Sequence, residues 1–314
     1  MDVVDYFCLI SITQKEKGCN KPKTFLLFFS LSYKIKEITN DNRCITTSEM
    51  EEIMENSKKK VRVPIISMEQ IEDAIFDMVI EEKELAQNAK AGQFLSLYLD
   101  DESRLLPRPI SICGIDKEKG QIRMVFRIAG EGTKQISAKK AGDTIEVLGP
   151  LGNGFFDTED NVSMVIGGGI GIPPMLGLAK KLHAEGKKVI AVLGYRDAKN
   201  FLAKEFEEVA EVVIATEDGS VGVKGNVIDA MKANNLTADT IYSCGPTPML
   251  RGVKAFAESA GIKAQISLEE KMACGIGACL ACVCKSKEQD HHSHVNNKRV
   301  CKDGPVFWAQ EIEL

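Results

Sequence analysis

The chain has 314 residues, which is enough for two or three domains. Hydrophobic residues make up 44% and charged residues 27%, an ordinary balance for a globular protein. The net charge of −5, from 40 basic and 45 acidic residues, gives no basic surplus of the kind that marks a nucleic-acid surface. The apolar run Phe25–Leu31 is too short to span a bilayer and is interrupted by Ser30. No small-residue cleavage site follows it, so the expectation is a cytoplasmic protein without membrane attachment.

Taken in chain order, residues 1–57 mix Lys-rich and Phe-rich pieces without a sustained period, and Ser48–Lys60 reads as a short helix or a linker. Met54 lies just before a sharp change in pattern at Val61. The expectation is that residues 1–57 are an extension, disordered or a gene-model artefact, with translation starting near Met54. Residues 58–160 then read as short strands between Gly and Pro turns: Lys60–Ile66, Ile75–Ile80, Phe94–Leu99, Ile110–Cys113, Ile122–Ile128 and Thr144–Leu148. Strands of that length and spacing predict an antiparallel barrel.

Residues 161–268 alternate strand and helix. Val162–Ile166, Val189–Gly194, Val212–Ala215, Thr240–Cys244 and Ala264–Leu268 read as strands. Pro173–Ala184, Ala198–Val209, Asn226–Ala233 and Pro248–Ala260 read as helices between them. This alternation predicts a doubly wound parallel sheet. Residues 269–314 are rich in Cys, Gly and Lys with little period, and such a segment needs a staple other than a core.

The staple is legible in the cysteines. Of ten, five fall within Cys274–Cys301, which is uneven for a disulfide framework. Cys274, Cys279 and Cys282, with Cys301 nineteen residues further on, give the C-x4-C-x2-C…C spacing of plant-type [2Fe–2S] sites. Four thiolates must converge on two irons, and Gly275, Gly277 and Ala278 let the chain turn sharply and aim its amides at the sulfurs. Zinc is the competing ligand, but it favours paired C-x2-C knuckles. Cys284 is a spare thiol, and His291, His292 and His294 read as a solvated loop rather than as ligands.

Phosphate- and ring-binding signals precede the cysteines. Arg108-Pro109-Ile110-Ser111 offers a cation, a rigid turn and a hydroxyl beside a strand that can line a flavin, although a salt-bridged strand arginine fits the same four residues. Val125-Phe126-Arg127 follows, and then Gly130-Glu131-Gly132-Thr133, where Gly132 allows close backbone approach and Thr133 can meet phosphate. Gly167-Gly168-Gly169-Ile170-Gly171-Ile172-Pro173-Pro174 links a strand to a helix, where a dinucleotide phosphate sits in an α/β fold. A tight strand–helix connection would use the same glycines. Ser243-Cys244-Gly245-Pro246 ends a later strand and would face the same crevice, and the Glu217–Ser220 turn can contact a ribose or be a simple turn.

In order, these motifs resemble the ferredoxin–NADP reductase family. The runs Glu270–Cys279 and Val300–Val306 narrow the resemblance to the electron-transfer subunit of type B dihydroorotate dehydrogenase, over residues 58–314. The resemblance implies an FAD barrel at 58–160, an NAD domain at 161–268 and a [2Fe–2S] domain at 269–314, with nothing corresponding to 1–57. It implies that Arg108, Pro109, Ile110, Ser111, Val125, Phe126, Arg127, Gly132 and Thr133 hold FAD. Gly168, Gly169, Gly171, Pro173, Cys244, Gly245 and Pro246 would hold NAD, with Cys244 beside the nicotinamide or simply a small buried side chain. Cys274, Cys279, Cys282 and Cys301 would bind iron. The implied activity passes electrons from an FMN-containing catalytic subunit that oxidises dihydroorotate, through the cluster and FAD, to NAD in pyrimidine biosynthesis, within a two-plus-two heterotetramer. A related NADPH-linked ferredoxin or sulfide oxidoreductase subunit, or a redox sensor without turnover, are the alternatives.

Overall fold

The computed structural model describes residues 10–14, 23–27, 59–101, 105–289 and 295–314. Met54, most of the Ser48–Lys60 stretch and His291, His292 and His294 lie outside the described residues. The chain divides into two compact units, Met1–Ser57 and Lys58–Leu314. In the first, strands β1 (Ile10–Gln14) and β2 (Lys23–Leu27) pair antiparallel.

The second unit opens with a closed six-stranded antiparallel barrel. Its strands are β3 (Lys59–Glu72), β4 (Ile75–Glu81), β5 (Phe94–Tyr98), β6 (Arg108–Asp116), β7 (Gln121–Arg127) and β8 (Thr144–Leu151). They close in the order β3-β4-β7-β6-β5-β8. The period-2 pattern explains the closure. Val63, Ile65, Met78, Ile80, Leu95, Leu97, Ile122, Met124, Ile145 and Val147 all point into one buried interior. Two short helices that the strand pattern does not announce sit at the barrel: α1 (Lys83–Asn88), capped by the Glu82 carboxylate, and α2 (Glu131–Ser137).

The chain then alternates as its apolar runs predict. Strands β9 (Val162–Gly168), β10 (Lys188–Tyr195), β11 (Glu211–Thr216), β12 (Val223–Lys224), β13 (Thr240–Cys244) and β14 (Lys263–Ser267) form a parallel sheet in the order β12-β11-β10-β9-β13-β14. Helices α3 (Ile172–Ala184), α4 (Ala203–Glu207), α5 (Val227–Ala233) and α6 (Thr247–Ala260) connect them. The central strands β9, β10 and β13 are buried on both faces, which is why they read as continuous apolar runs.

One expected element is corrected. The helix predicted over Ala198–Val209 is only α4, because the chain before it is held in turns. Asp197 accepts from the Lys199 amide, the Tyr195 hydroxyl donates to the Phe201 carbonyl, and Leu202 takes a left-handed φ of 64°.

The C-terminal segment adds three short strands. β15 (Val283–Lys285) pairs antiparallel with β16 (Asn297–Arg299), and β17 (Val306–Trp308) adds an antiparallel seventh strand to the large sheet beside β14. This last strand is too short to show a period in sequence. It ties the cysteine-rich segment to the sheet, and Asn153 ties it to the barrel. The Asn153 side-chain amide donates to the carbonyls of Asp303 and Val306, and its backbone amide donates to Gly304.

Barrel and sheet are joined through α3 and an ionic cluster. At Gly177 a Cβ would fall 2.6 Å from the Cys113 carbonyl oxygen, so the helix lies directly on β6. Nearby, Arg123 of β7 donates to both Asp77 oxygens and to Glu205 at 2.7–2.8 Å, and Lys180 of α3 adds a 2.8 Å contact to Glu205. Arg123 holds the Glu205 carboxyl well below its ordinary value, at about 2, and the Lys180 contact adds to this. Lys199 makes a second clasp to Glu72 and Asp73 on the barrel turn.

Candidate functional site

A cleft of about 280 Å³ runs between barrel, sheet and cysteine-rich segment. That is close to the lower end for small-molecule pockets, roughly 300 Å³. Arg108, Pro109, Ile110 and Ser111 of β6, Val125, Phe126 and Arg127 of β7, and Thr133 line it, so the strand residues picked out by sequence converge. Gly132 does not line it but is needed there, because a Cβ would fall 2.1 Å from the Arg108 Nε. Arg108 is steered by its own turn, with Nη1 donating to the Leu106 carbonyl at 2.5 Å. Thr133 receives the Ala129 amide at 2.9 Å and donates to the Gly130 carbonyl at 3.1 Å, which fixes the turn beneath Gly132. Its hydroxyl is therefore committed to the backbone rather than free for phosphate.

Sequence reasoning missed the far wall of the cleft: Phe94, Ile170, Ser267, Leu268, Glu269, Met272 and Pro305. These residues come from four separate stretches of chain and carry no shared motif. The signal that could have found Ile170 is its place inside the glycine turn.

That turn follows β9. Gly169 takes a φ of 55° with open space where a Cβ would be, and α3 begins at Ile172 with Pro173 in its first turn. The sheet order changes direction between β9 and β13, and their carboxyl ends meet there, with Gly167 in register with Cys244. A Cβ on Gly171 would fall 2.3 Å from the Cys244 carbonyl oxygen, and one on Gly168 would fall 2.5 Å from the Met249 sulfur. Gly168, Gly169, Gly171, Pro173, Cys244, Gly245 and Pro246 are thus neighbours at one switch point. Cys244 itself is buried and lies outside the cleft lining, and burial pushes its thiol up, so at neutral pH it stays protonated. The Glu217–Ser220 turn is self-contained, since Asp218 accepts from the Ser220 amide and hydroxyl.

Cys274, Cys279 and Cys282 sit in a loop shaped by Gly275 (φ 71°), Gly277 (φ 83°) and Leu280 (φ 58°), and Cys301 meets it from beyond β16. The Gly277 amide donates to the Cys301 sulfur at 3.1 Å, the Ala278 amide to Cys274 at 3.3 Å, and the Cys301 amide to Cys282 at 3.4 Å. Cys274, Cys279, Cys282 and Cys301 are all free thiols. A binuclear cluster takes two thiolates on each iron, so this donor set fits it. Cys284 stands apart on β15 as a buried thiol pushed up to about 11 by burial. Among the described residues two buried hydroxyls have no partner: Ser96 Oγ, which faces this loop, and Ser243 Oγ, just before Cys244.

A larger hollow of about 570 Å³ lies at the amino ends of β13 and β14, next to Asp160. Burial alone would raise the Asp160 carboxyl, but Lys187, Ser163 and Thr158 bind it and hold it low. Its charge is already matched inside the fold.

Family models match in the same order as the elements. An oxidoreductase FAD-binding domain matches residues 63–156, an oxidoreductase NAD-binding domain 165–255, and the iron-sulfur cluster binding domain of dihydroorotate dehydrogenase B 269–313. The dihydroorotate dehydrogenase B (NAD(+)) electron transfer subunit of Caldanaerobacter subterraneus subsp. tengcongensis is 42% identical over 253 residues, which is 81% of this chain and 98% of that protein. The chain belongs to the family of dihydroorotate dehydrogenase B electron transfer subunits.

The same-named subunit of Streptococcus pneumoniae strain R6 is 42% identical over 254 residues, covering 80% of this chain and 97% of its own length. Among solved structures, one described as an NADH-dependent reduced ferredoxin-NADP oxidoreductase aligns with a TM-score of 0.72 at 30% identity, over 80% of this chain and 89% of that one. As a member of the dihydroorotate dehydrogenase B family, the chain carries an FAD-binding barrel, an NAD-binding parallel sheet and an iron–sulfur domain, with the cleft where the three meet. Among the described residues no helix is long and apolar enough to cross a membrane.

Proposed function

We propose that this chain is the electron-transfer subunit of an NAD-dependent dihydroorotate dehydrogenase, passing electrons from a catalytic partner to NAD in pyrimidine biosynthesis. FAD supplies hydride chemistry when bound, and a [2Fe–2S] cluster supplies one-electron chemistry. The residues of the chain bind, orient and exclude. Arg108 would hold a diphosphate, with Gly132 leaving room for its side chain, while Pro109–Ser111 and Val125–Arg127 form a wall for a flat ring. The Gly168–Gly171 turn and Cys244–Pro246 receive the dinucleotide at the switch point. Cys274, Cys279, Cys282 and Cys301 hold the irons, and the amides of Gly277, Ala278 and Cys301 fix the sulfurs.

One observation carries the reading. Pro305, four residues from Cys301, lines the same cleft as Arg108–Ser111 and Ile170, so one short path joins the iron ligands, the flavin wall and the dinucleotide turn. The partner is read as an FMN-carrying dihydroorotate dehydrogenase in a two-plus-two assembly. Cys279, Ile276 and Leu280 are exposed on the cysteine loop and would be the surface offered to such a partner. Free thiols throughout the described unit suit a reducing cytoplasm. The similarity to a ferredoxin-NADP oxidoreductase structure supports a second reading with a ferredoxin-type partner, at 30% identity against 42% for the dihydroorotate relatives.

The test is reconstitution with the candidate FMN subunit under anaerobic conditions. Dihydroorotate should drive NAD reduction only when both chains are present. NAD reduction by reduced ferredoxin, with none from dihydroorotate, would favour the second reading instead.

A further inference from the structure

Strand β5 alternates between two environments. Leu95 and Leu97 are fully buried in the barrel core, while Phe94, Ser96 and Tyr98 take the opposite face. Phe94 lines the flavin cleft. Tyr98 ends the strand and is half-buried. Ser96, between them, is fully buried, and its Oγ has no hydrogen-bond partner among the described residues. Buried hydroxyls are nearly always hydrogen-bonded, so an orphan of this kind points to a group that is not protein.

What faces Ser96 is the cluster loop. A Cβ on Gly275 would fall 3.0 Å from the Ser96 Oγ and 3.2 Å from the Leu151 side chain, and Gly275 holds a φ of 71°. Only glycine lets the loop lie that close to the barrel, one residue after the first cysteine of the set. The hydroxyl is therefore enclosed between the barrel wall and the segment that carries Cys274.

We infer that the Ser96 hydroxyl donates a hydrogen bond to a sulfur of the [2Fe–2S] cluster on its Cys274 side and raises the reduction potential of the cluster. The inference rests on the ligand set proposed above. Reduction adds one negative charge to the cluster, a donor stabilises that charge, and hydrogen bonds to the sulfurs are a recognised determinant of cluster potential. Ser96 is a positioning and tuning residue that no cysteine motif includes.

The experiment compares wild type with Ser96→Ala as full chains purified anaerobically. Iron, sulfide and FAD are counted, and the cluster and flavin potentials are read in one titration by electron paramagnetic resonance and visible absorbance. With iron and sulfide unchanged, Ser96→Ala should lower the cluster midpoint by about 59 mV, a tenfold shift in its one-electron equilibrium, and leave the FAD midpoint in place. Ser96→Cys keeps the shape with a weaker donor and should give a smaller drop of the same sign, which covers the case where alanine disturbs folding. In wild type, transfer to D2O should shift the iron–sulfur stretching bands, and that shift should shrink in Ser96→Ala. A full cluster whose potential ignores both substitutions, or a change confined to the flavin, would overturn the assignment while leaving the ligand set standing. A wild-type chain without iron would bring down the ligand set and this assignment together.

Discussion

The Arg108 guanidinium and the Cys279 sulfur make separable contributions, and each substitution should read out only its own. Cys279→Ser removes one thiolate from an exposed corner of the loop. Iron content should fall at least about tenfold, since even outer partners of a metal site are worth that much. NADH oxidation by small artificial acceptors should persist, because the flavin wall is built elsewhere. Full iron together with transfer to the partner would show that the ligand set is misassigned. Arg108→Ala removes a charged donor and should weaken FAD retention by about 1.5–3 kcal/mol, roughly tenfold to a hundredfold. Equilibrium dialysis of flavin checks it, and stoichiometric flavin in the purified variant would contradict it. At this scale the cysteines were legible because three of them share one nine-residue loop and their spacing is itself the signal. Ser96 and Asn153 were not, because what they face lies about 150 residues or more away and only the fold brings it near.

Among the elements, α3 has the most to hold. Its first turn follows the glycine turn, Gly177 rests on β6, and Lys180 joins the Arg123–Asp77–Glu205 cluster. Gly→Ala inside an exposed helix usually stabilises by about 1 kcal/mol. Here the new Cβ would fall 2.6 Å from a backbone oxygen. Gly177→Ala should therefore destabilise, by about 1–3 kcal/mol. A raised thermal midpoint would show that the helix does not lie as close to the barrel as described. Glu205 adds a pH signature. Its carboxyl is held at about 2 instead of 4.5, so its contribution is complete above pH 4.5 and is lost as pH falls toward 2. Glu205→Gln should cost about 1.5–3 kcal/mol at neutral pH and flatten the decline of stability across that acid window. Denaturant titrations at several pH values check it, and parallel pH profiles for variant and wild type would contradict the ion cluster. The strands and most helices were legible from apolar runs and periodicity. The exceptions were α1, α2, β12, β15, β16 and β17, which are too short to show a period, the β1–β2 pair, which falls where no period was read, and the shortened α4, where turn chemistry at Asp197 and Tyr195 overrides helix-forming residues.

Across the whole molecule, one cleft gathers residues from the barrel, the parallel sheet and the cysteine-rich segment. The order of motifs along the chain conveyed that three binding regions exist. It did not convey that they share a wall, because that depends on β17 joining the sheet and on Asn153 fastening the last segment to the barrel. Electron exchange between flavin and irons within this one chain follows from that shared wall. The direct measurement is an anaerobic titration of the isolated full chain with NADH, followed by electron paramagnetic resonance at low temperature. NADH should bleach the flavin and raise the signal of a reduced [2Fe–2S] cluster, approaching one unpaired electron per chain. Flavin bleaching with no cluster signal in iron-replete protein, or protein that carries zinc in place of iron, would contradict the account.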